Sequence, residues 1–89
     1  MNIYEQTIKA WGIEPQLGMV QEECAELIKA INKRRRGEAT DAEVIEECVD
    51  VELMINQMKE FFKDDIDTWD RIKTEKLERL KVLLQESKK

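Results

Sequence analysis

Histidine is absent from this chain, proline occurs once and glycine three times, and aromatic residues make up 6% of it. Without histidine the chain cannot supply the Glu-x-x-His elements with which di-iron carboxylate bundles hold their metal, so that class is excluded. The two cysteines, Cys24 and Cys48, lack CxxC spacing and offer no disulfide framework. Both fall in helix-like apolar patterns and read as reduced core thiols of a cytoplasmic protein. No apolar run approaches the roughly 20 residues that span a bilayer, and no secretory leader is read at the start, so a soluble chain is expected. An excess of positive charge is missing as well. Fifteen Lys and Arg stand against 20 Asp and Glu, giving a formal charge of -5 and a pI near 4.8, which argues against duplex DNA or an anionic membrane as partner.

What is present is charge and helical periodicity. Of the 89 residues, 39% are charged and 42% hydrophobic, which suits a single helical domain over 1–89. A monomer of this size buries little apolar surface, so self-association is expected. The few helix breakers divide the chain into four segments, and none alternates like a strand. A first helix is predicted over about Ile3 to Trp11, ended by Gly12. The second starts near Pro15, a residue suited to a first turn, and ends at Lys33-Arg34-Arg35-Arg36 before Gly37. That basic run reads as a helix C-terminus, where cations suit the dipole, or as an arm that touches phosphate. Thr40 and Glu43 form a capping box that starts a third helix, continuing to about Phe62. Aspartates in Lys63-Asp64-Asp65 are placed to cap a fourth, from about Asp67 to Glu86, which carries Trp69, Ile72, Leu77, Leu80, Leu83 and Leu84.

The acids are where chemistry is expected. On the third helix Val44, Cys48, Val51, Met54, Ile55, Met58 and Phe62 recur at steps of three and four and define a buried stripe. Glu47 falls inside that stripe, and Asp50 follows one turn later. Buried carboxylates are protonated, paired with a base, or bound to a metal, and two of them three residues apart favour the metal. On the second helix Leu17, Val20, Cys24, Leu27, Ile28 and Ile31 form the main stripe with Glu23 at its edge. Met19, Glu23, Glu26 and Ala30 share a second face, while Glu22 points toward solvent. Two helices that each offer two carboxylates suit a hard cation, magnesium or manganese, rather than zinc or copper. Against this stands the reading in which the acids are solvated or paired at the surface, as many must be in a chain with 20 of them.

Glu22-Glu23-Cys24-Ala25-Glu26 followed by Glu47-Cys48-Val49-Asp50 resembles the signature of the all-α nucleoside triphosphate pyrophosphohydrolases of the MazG type, E-E-x-x-E and then E-x-x-D on the next helix. Trp11-Gly12, Gln16 and Ala25-Glu26-Leu27-Ile28 are also similar to short members of that family. The resemblance implies an antiparallel bundle of about four helices, assembled as a homodimer or homotetramer. It implies magnesium held by Glu23, Glu26, Glu47 and Asp50, with Glu22 or Glu46 as a base. The reaction it implies is water attack on the α-phosphorus of a nucleoside or deoxynucleoside triphosphate, giving a monophosphate and pyrophosphate. Lys73, Lys76 and Arg79 resemble the family's basic last helix and are candidates for the phosphates, or else partners of Glu75 and Glu78. Trp11 and Gln16 are candidates for the base, although an aromatic in a small helical protein more often belongs to the core. Two other functions stay open: a related branch that hydrolyses phosphoribosyl-ATP, and a non-catalytic helical module for oligomerisation or protein binding.

Overall fold

The computed structural model describes residues 1–88 and places them in four α-helices: α1 (Ile3–Trp11), α2 (Ile13–Arg35), α3 (Asp41–Phe61) and α4 (Ile66–Ser87). One turn of 3-10 helix, Lys63–Asp65, leads into α4. The described residues contain no strand, and no helix among them is long and apolar enough to cross a membrane.

Local chemistry sets each boundary. Asn2 caps α1, its side chain accepting from the Glu5 N–H at 2.8 Å. A single residue, Gly12, separates α1 from α2, and its φ of 84° is one that a side chain disfavours. The second helix begins at Ile13, two residues before the expected start. Pro15 then sits within the first turn, where its missing N–H breaks no helical bond. At the other end Glu38 N–H bonds Lys33 O at 2.8 Å and Gly37 N–H bonds Arg34 O at 3.0 Å. With Gly37 at φ 76°, this pattern is a Schellman motif. The basic run closes α2 here: Arg34 pairs with Asp41 at 2.6 Å and Arg36 with Glu38 at 3.2 Å. The capping box is present, with Thr40 N–H donating to Glu43 Oε2 at 2.6 Å and Glu43 N–H to Thr40 Oγ1 at 3.2 Å. The expected aspartate cap of α4 is not made: Asp65 occupies the cap position without a side-chain bond, because the preceding 3-10 turn already directs the chain.

α2 and α3 lie antiparallel, and α1 packs on both, chiefly on α3. Gln16 meets Gln57 at one end and Arg34 meets Asp41 at the other. The core is thin. Ala30, Met54 and Met58 are its buried apolar residues, joined by the buried amides of Gln16 and Gln57. The Thr7 hydroxyl lies 2.9 Å from Gln57 Oε1, which also accepts from Gln16 Nε2, while Gln57 Nε2 points to Met54 Sδ at 3.7 Å.

This arrangement corrects the expected stripe of α3. Val44, Val51, Met54 and Met58 are covered as expected, but Cys48, Ile55 and Phe62 are exposed, and Glu47, Asp50 and Gln57 share the covered face. α3 carries apolar residues around most of its circumference, so periodicity alone does not select the side that α1 and α2 cover. Nor are both thiols buried: Cys24 is half-buried and Cys48 exposed. On α2, Val20, Cys24 and Leu27 are half-buried as expected, whereas Leu17, Ile28 and Ile31 face outward.

α4 does not pack along the other three helices, and none of its residues is buried. Its first turns approach α3, with Lys59 Nζ 5.4 Å from the centre of the Trp69 ring. Beyond them the helix projects, and the radius of gyration is 16.4 Å, against about 12 Å for a compact chain of this length.

Candidate metal centre

The acids of α2 and α3 meet because the two helices run antiparallel and Glu23 faces Asp50 while Glu26 faces Glu47. Glu23, Glu47 and Asp50 are half-buried, and each offers a carboxylate oxygen within 4.8 Å of the others. Glu47 and Asp50 project together because three residues make nearly one helical turn. None of the ion pairs among the described residues uses any of the three. Arg34, Arg36, Lys9, Lys63, Arg71 and Lys81 instead pair with acids elsewhere.

Crowded and uncompensated, Glu23 and Glu47 hold protons more tightly than an exposed carboxylate. Partial burial raises the Glu23 pKa, the nearby charges of Asp50, Glu47 and Glu22 add to it, and a hydrogen bond shared with Asp50 favours the protonated form. Partial burial likewise raises that of Glu47, followed by the charges of Asp50, Glu26 and Glu46. A cation supplied from solution would reverse the penalty. The donor set, all carboxylate oxygen without nitrogen or sulfur, fits a hard divalent ion.

The remaining predicted residues are distributed around this cluster in different ways. Glu26 is exposed and stands outside the close trio, but it lines a pocket of about 280 Å³ together with Glu47 and Glu46. Glu22 and Glu46 are exposed neighbours of the cluster. Lys73 and Lys76 line a separate groove between α3 and α4, and Arg79 is exposed on α4. Trp11 is 62% exposed at the end of α1. Gln16 does not face water: it is 5% exposed and its amide donates to Gln57, which gives it a packing role within the helices. A polar side chain near a helix start carries no sequence mark that distinguishes the two roles.

Lys29 escaped the sequence reading, and Lys33 entered it only within the basic run. Lys29 and Lys33 line the pocket shared by Glu26, Glu46 and Glu47. The signal was there in their spacing, since Lys29 follows Glu26 by three residues and Lys33 by seven, which puts all three on one helix face. The basic run had placed Lys33 at a helix terminus or on an arm touching phosphate, without connecting it to the acids. The chain matches no family model, no curated protein and no solved structure.

Proposed function

We propose that the chain is a cytoplasmic, magnesium-dependent pyrophosphohydrolase of nucleoside or deoxynucleoside triphosphates, which serves to clear or adjust a nucleotide pool. One observation carries the reading. Three half-buried carboxylates from two helices converge within 4.8 Å without a basic partner among the described residues, an arrangement that is unfavourable by itself and favourable around a cation. Glu23, Glu47 and Asp50 would hold magnesium, or manganese in its place, and Glu26 would complete the set from the adjoining pocket. When bound, the ion withdraws charge from phosphate oxygens and lowers the pKa of coordinated water.

The protein's own groups then have separate tasks. Glu46 or Glu22, exposed beside the cluster, accepts the proton of the attacking water. The water oxygen bonds to the α-phosphorus, the bond from that phosphorus to the bridging oxygen breaks, and pyrophosphate leaves. Lys29 and Lys33 supply positive charge toward the phosphates from the pocket wall, the role first assigned to Lys73, Lys76 and Arg79. Assembly as a dimer or tetramer belongs to the same reading.

The projecting α4 favours a second reading, a helical module that acts only by association, and magnesium separates the two. Purified protein is incubated with a panel of ribo- and deoxyribonucleoside triphosphates, with magnesium and with chelator, and pyrophosphate is measured. Metal-dependent release of pyrophosphate and monophosphate is expected. Release from phosphoribosyl-ATP alone would move the substrate to the related branch, and no release from folded protein would leave the associative module.

A further inference from the structure

α4 carries lysine where an amphipathic helix carries apolar residues. Steps of four run from Trp69 through Lys73 to Leu77 and from Ile72 through Lys76 to Leu80, so both lysines stand inside the apolar stripe rather than opposite it. The stripe forms one wall of a groove of about 710 Å³, and Ile55, Asn56 and Lys59 of α3 form the other. No acid lines this groove, although acids outnumber bases 20 to 15 in the chain. None of the ion pairs among the described residues uses Lys59, Lys73 or Lys76. Arg71 and Lys81 of the same helix do pair, with Glu75 and Glu78. Apolar surface and uncompensated positive charge therefore coincide in one cleft.

This combination selects among occupants. Ile72, Leu77 and Leu80 are 40 to 53% exposed, and contiguous apolar surface of this kind marks an interaction site. A second α4 is a poor match, because it returns Lys73 and Lys76 to a groove that already holds three cations, and like charges across a contact oppose it. A single fatty-acid carboxylate would leave two of the three uncompensated. The wall from Trp69 to Leu80 extends for about 16 Å, or about three helical turns. A cleft between two helices accepts a third through anchors spaced i, i+3 or i+4, and i+7. Acids placed among those anchors would meet the lysines.

We propose that the α3–α4 groove docks an acidic amphipathic helix of another protein. Its apolar anchors sit on Trp69, Ile72, Leu77 and Leu80, and its carboxylates pair with Lys59, Lys73 and Lys76. The proposal is independent of the metal-centre reading, since helical spacing turns Asn56 and Lys59 to the side of α3 away from Glu47 and Asp50.

The probe is a synthetic helical peptide with leucine at i, i+4, i+7 and i+11 and glutamate beside the leucines, compared with two versions in which glutamine or lysine replaces every glutamate. Trp11→Phe leaves Trp69 as the sole tryptophan, so its emission reports on the groove. The glutamate peptide should shift that emission to the blue and saturate. It should bind about tenfold more tightly than the glutamine peptide, the worth of two or three exposed ion pairs, and the advantage should shrink at molar salt. Lys73→Glu combined with Lys76→Glu changes two exposed positions and should reverse the preference, so that the lysine peptide binds best; circular dichroism checks that the helices persist. Equal binding of the three peptides, or an acidic preference that survives the double variant, overturns the proposal. So does a dimer in light scattering that Leu77→Glu dissociates and the glutamate peptide does not, since the occupant is then a second copy. A blue shift with oleate and none with the glutamate peptide would give the groove to a small amphiphile and refute it as well.

Discussion

Glu47→Gln separates the metal reading from ordinary surface acidity. The amide keeps the volume of the side chain and removes its charge from beside Asp50, Glu26 and Glu46, the neighbours that raise its pKa together with partial burial. In metal-free buffer the variant should therefore be at least as stable as the wild type. Magnesium changes the order. A ligand that binds only the folded state at about 100 times its Kd stabilises it by about 2.7 kcal/mol, which for a domain of this size raises Tm by roughly 10–20 °C. Wild-type protein titrated with magnesium in a thermal-shift assay should show a rise of that order, and Glu47→Gln little or none of it. Calorimetric titration of magnesium into both proteins reads the same difference without heating. Equal magnesium shifts in the two proteins would remove Glu47 from the site, and a metal-free variant well below the wild type would show that the charge is stabilising where it stands.

Other outcomes follow from the same geometry. The pKa values of Glu23 and Glu47 are raised by folding, so the stability these groups contribute is complete below their unfolded values and is lost as pH rises through the folded ones. Urea titrations of metal-free protein between about pH 4 and 7 should show the wild type falling relative to Glu47→Gln as pH rises, and a constant difference would contradict the shift. Magnesium affinity should move in the opposite sense, weakening as pH drops through the raised values, as calorimetry at successive pH values would show. Gln57→Leu leaves the Gln16 amide and Thr7 without their shared acceptor and should cost about 1–3 kcal/mol in urea denaturation. Gly37→Ala forces a side chain into φ 76° and should cost about 1–2 kcal/mol, with Gly37→Asn costing less. Lys29→Ala should raise the KM of any triphosphatase activity, while an unchanged KM would exclude the pocket lysine from the phosphates.

The helices were legible because their ends are marked by residues acting locally. Gly12 and Gly37 adopt positive φ, Thr40 and Glu43 make both bonds of the capping box, and Pro15 falls within a first turn. The meeting of Glu23, Glu47 and Asp50 was also readable, since spacing puts Glu47 and Asp50 on one side of α3 and only an antiparallel α2 had to be added. What the sequence did not reveal is which side of an ambiguous helix is covered. α3 is apolar on more than one side, so Cys48, Ile55 and Phe62 read as core beside Met54 and Met58 although these three are exposed. Long-range polar matching was equally silent: Gln16 and Gln57 are far apart in sequence, and neither has a local pattern that announces a buried amide pair. The last helix reads as a bundle member by periodicity, but periodicity does not say whether the chain folds back over it, and none of its residues is buried.

The buried amide pair also limits errors of assembly. Apolar side chains such as Met54 and Met58 are adaptable and tolerate sliding of one helix along another. A slip by one turn moves a helix about 5.4 Å, enough to leave Met54 and Met58 with plausible neighbours while parting Glu23 from Asp50. The same slip strands the Gln57 carbonyl from the Gln16 amide and Thr7 hydroxyl that converge on it, and a buried group without its partner costs about 1–3 kcal/mol. Out-of-register packings of α2 on α3 are thus penalised by a contact two turns from the acids. Gln57 acts as a proofreading contact for a cluster it never touches.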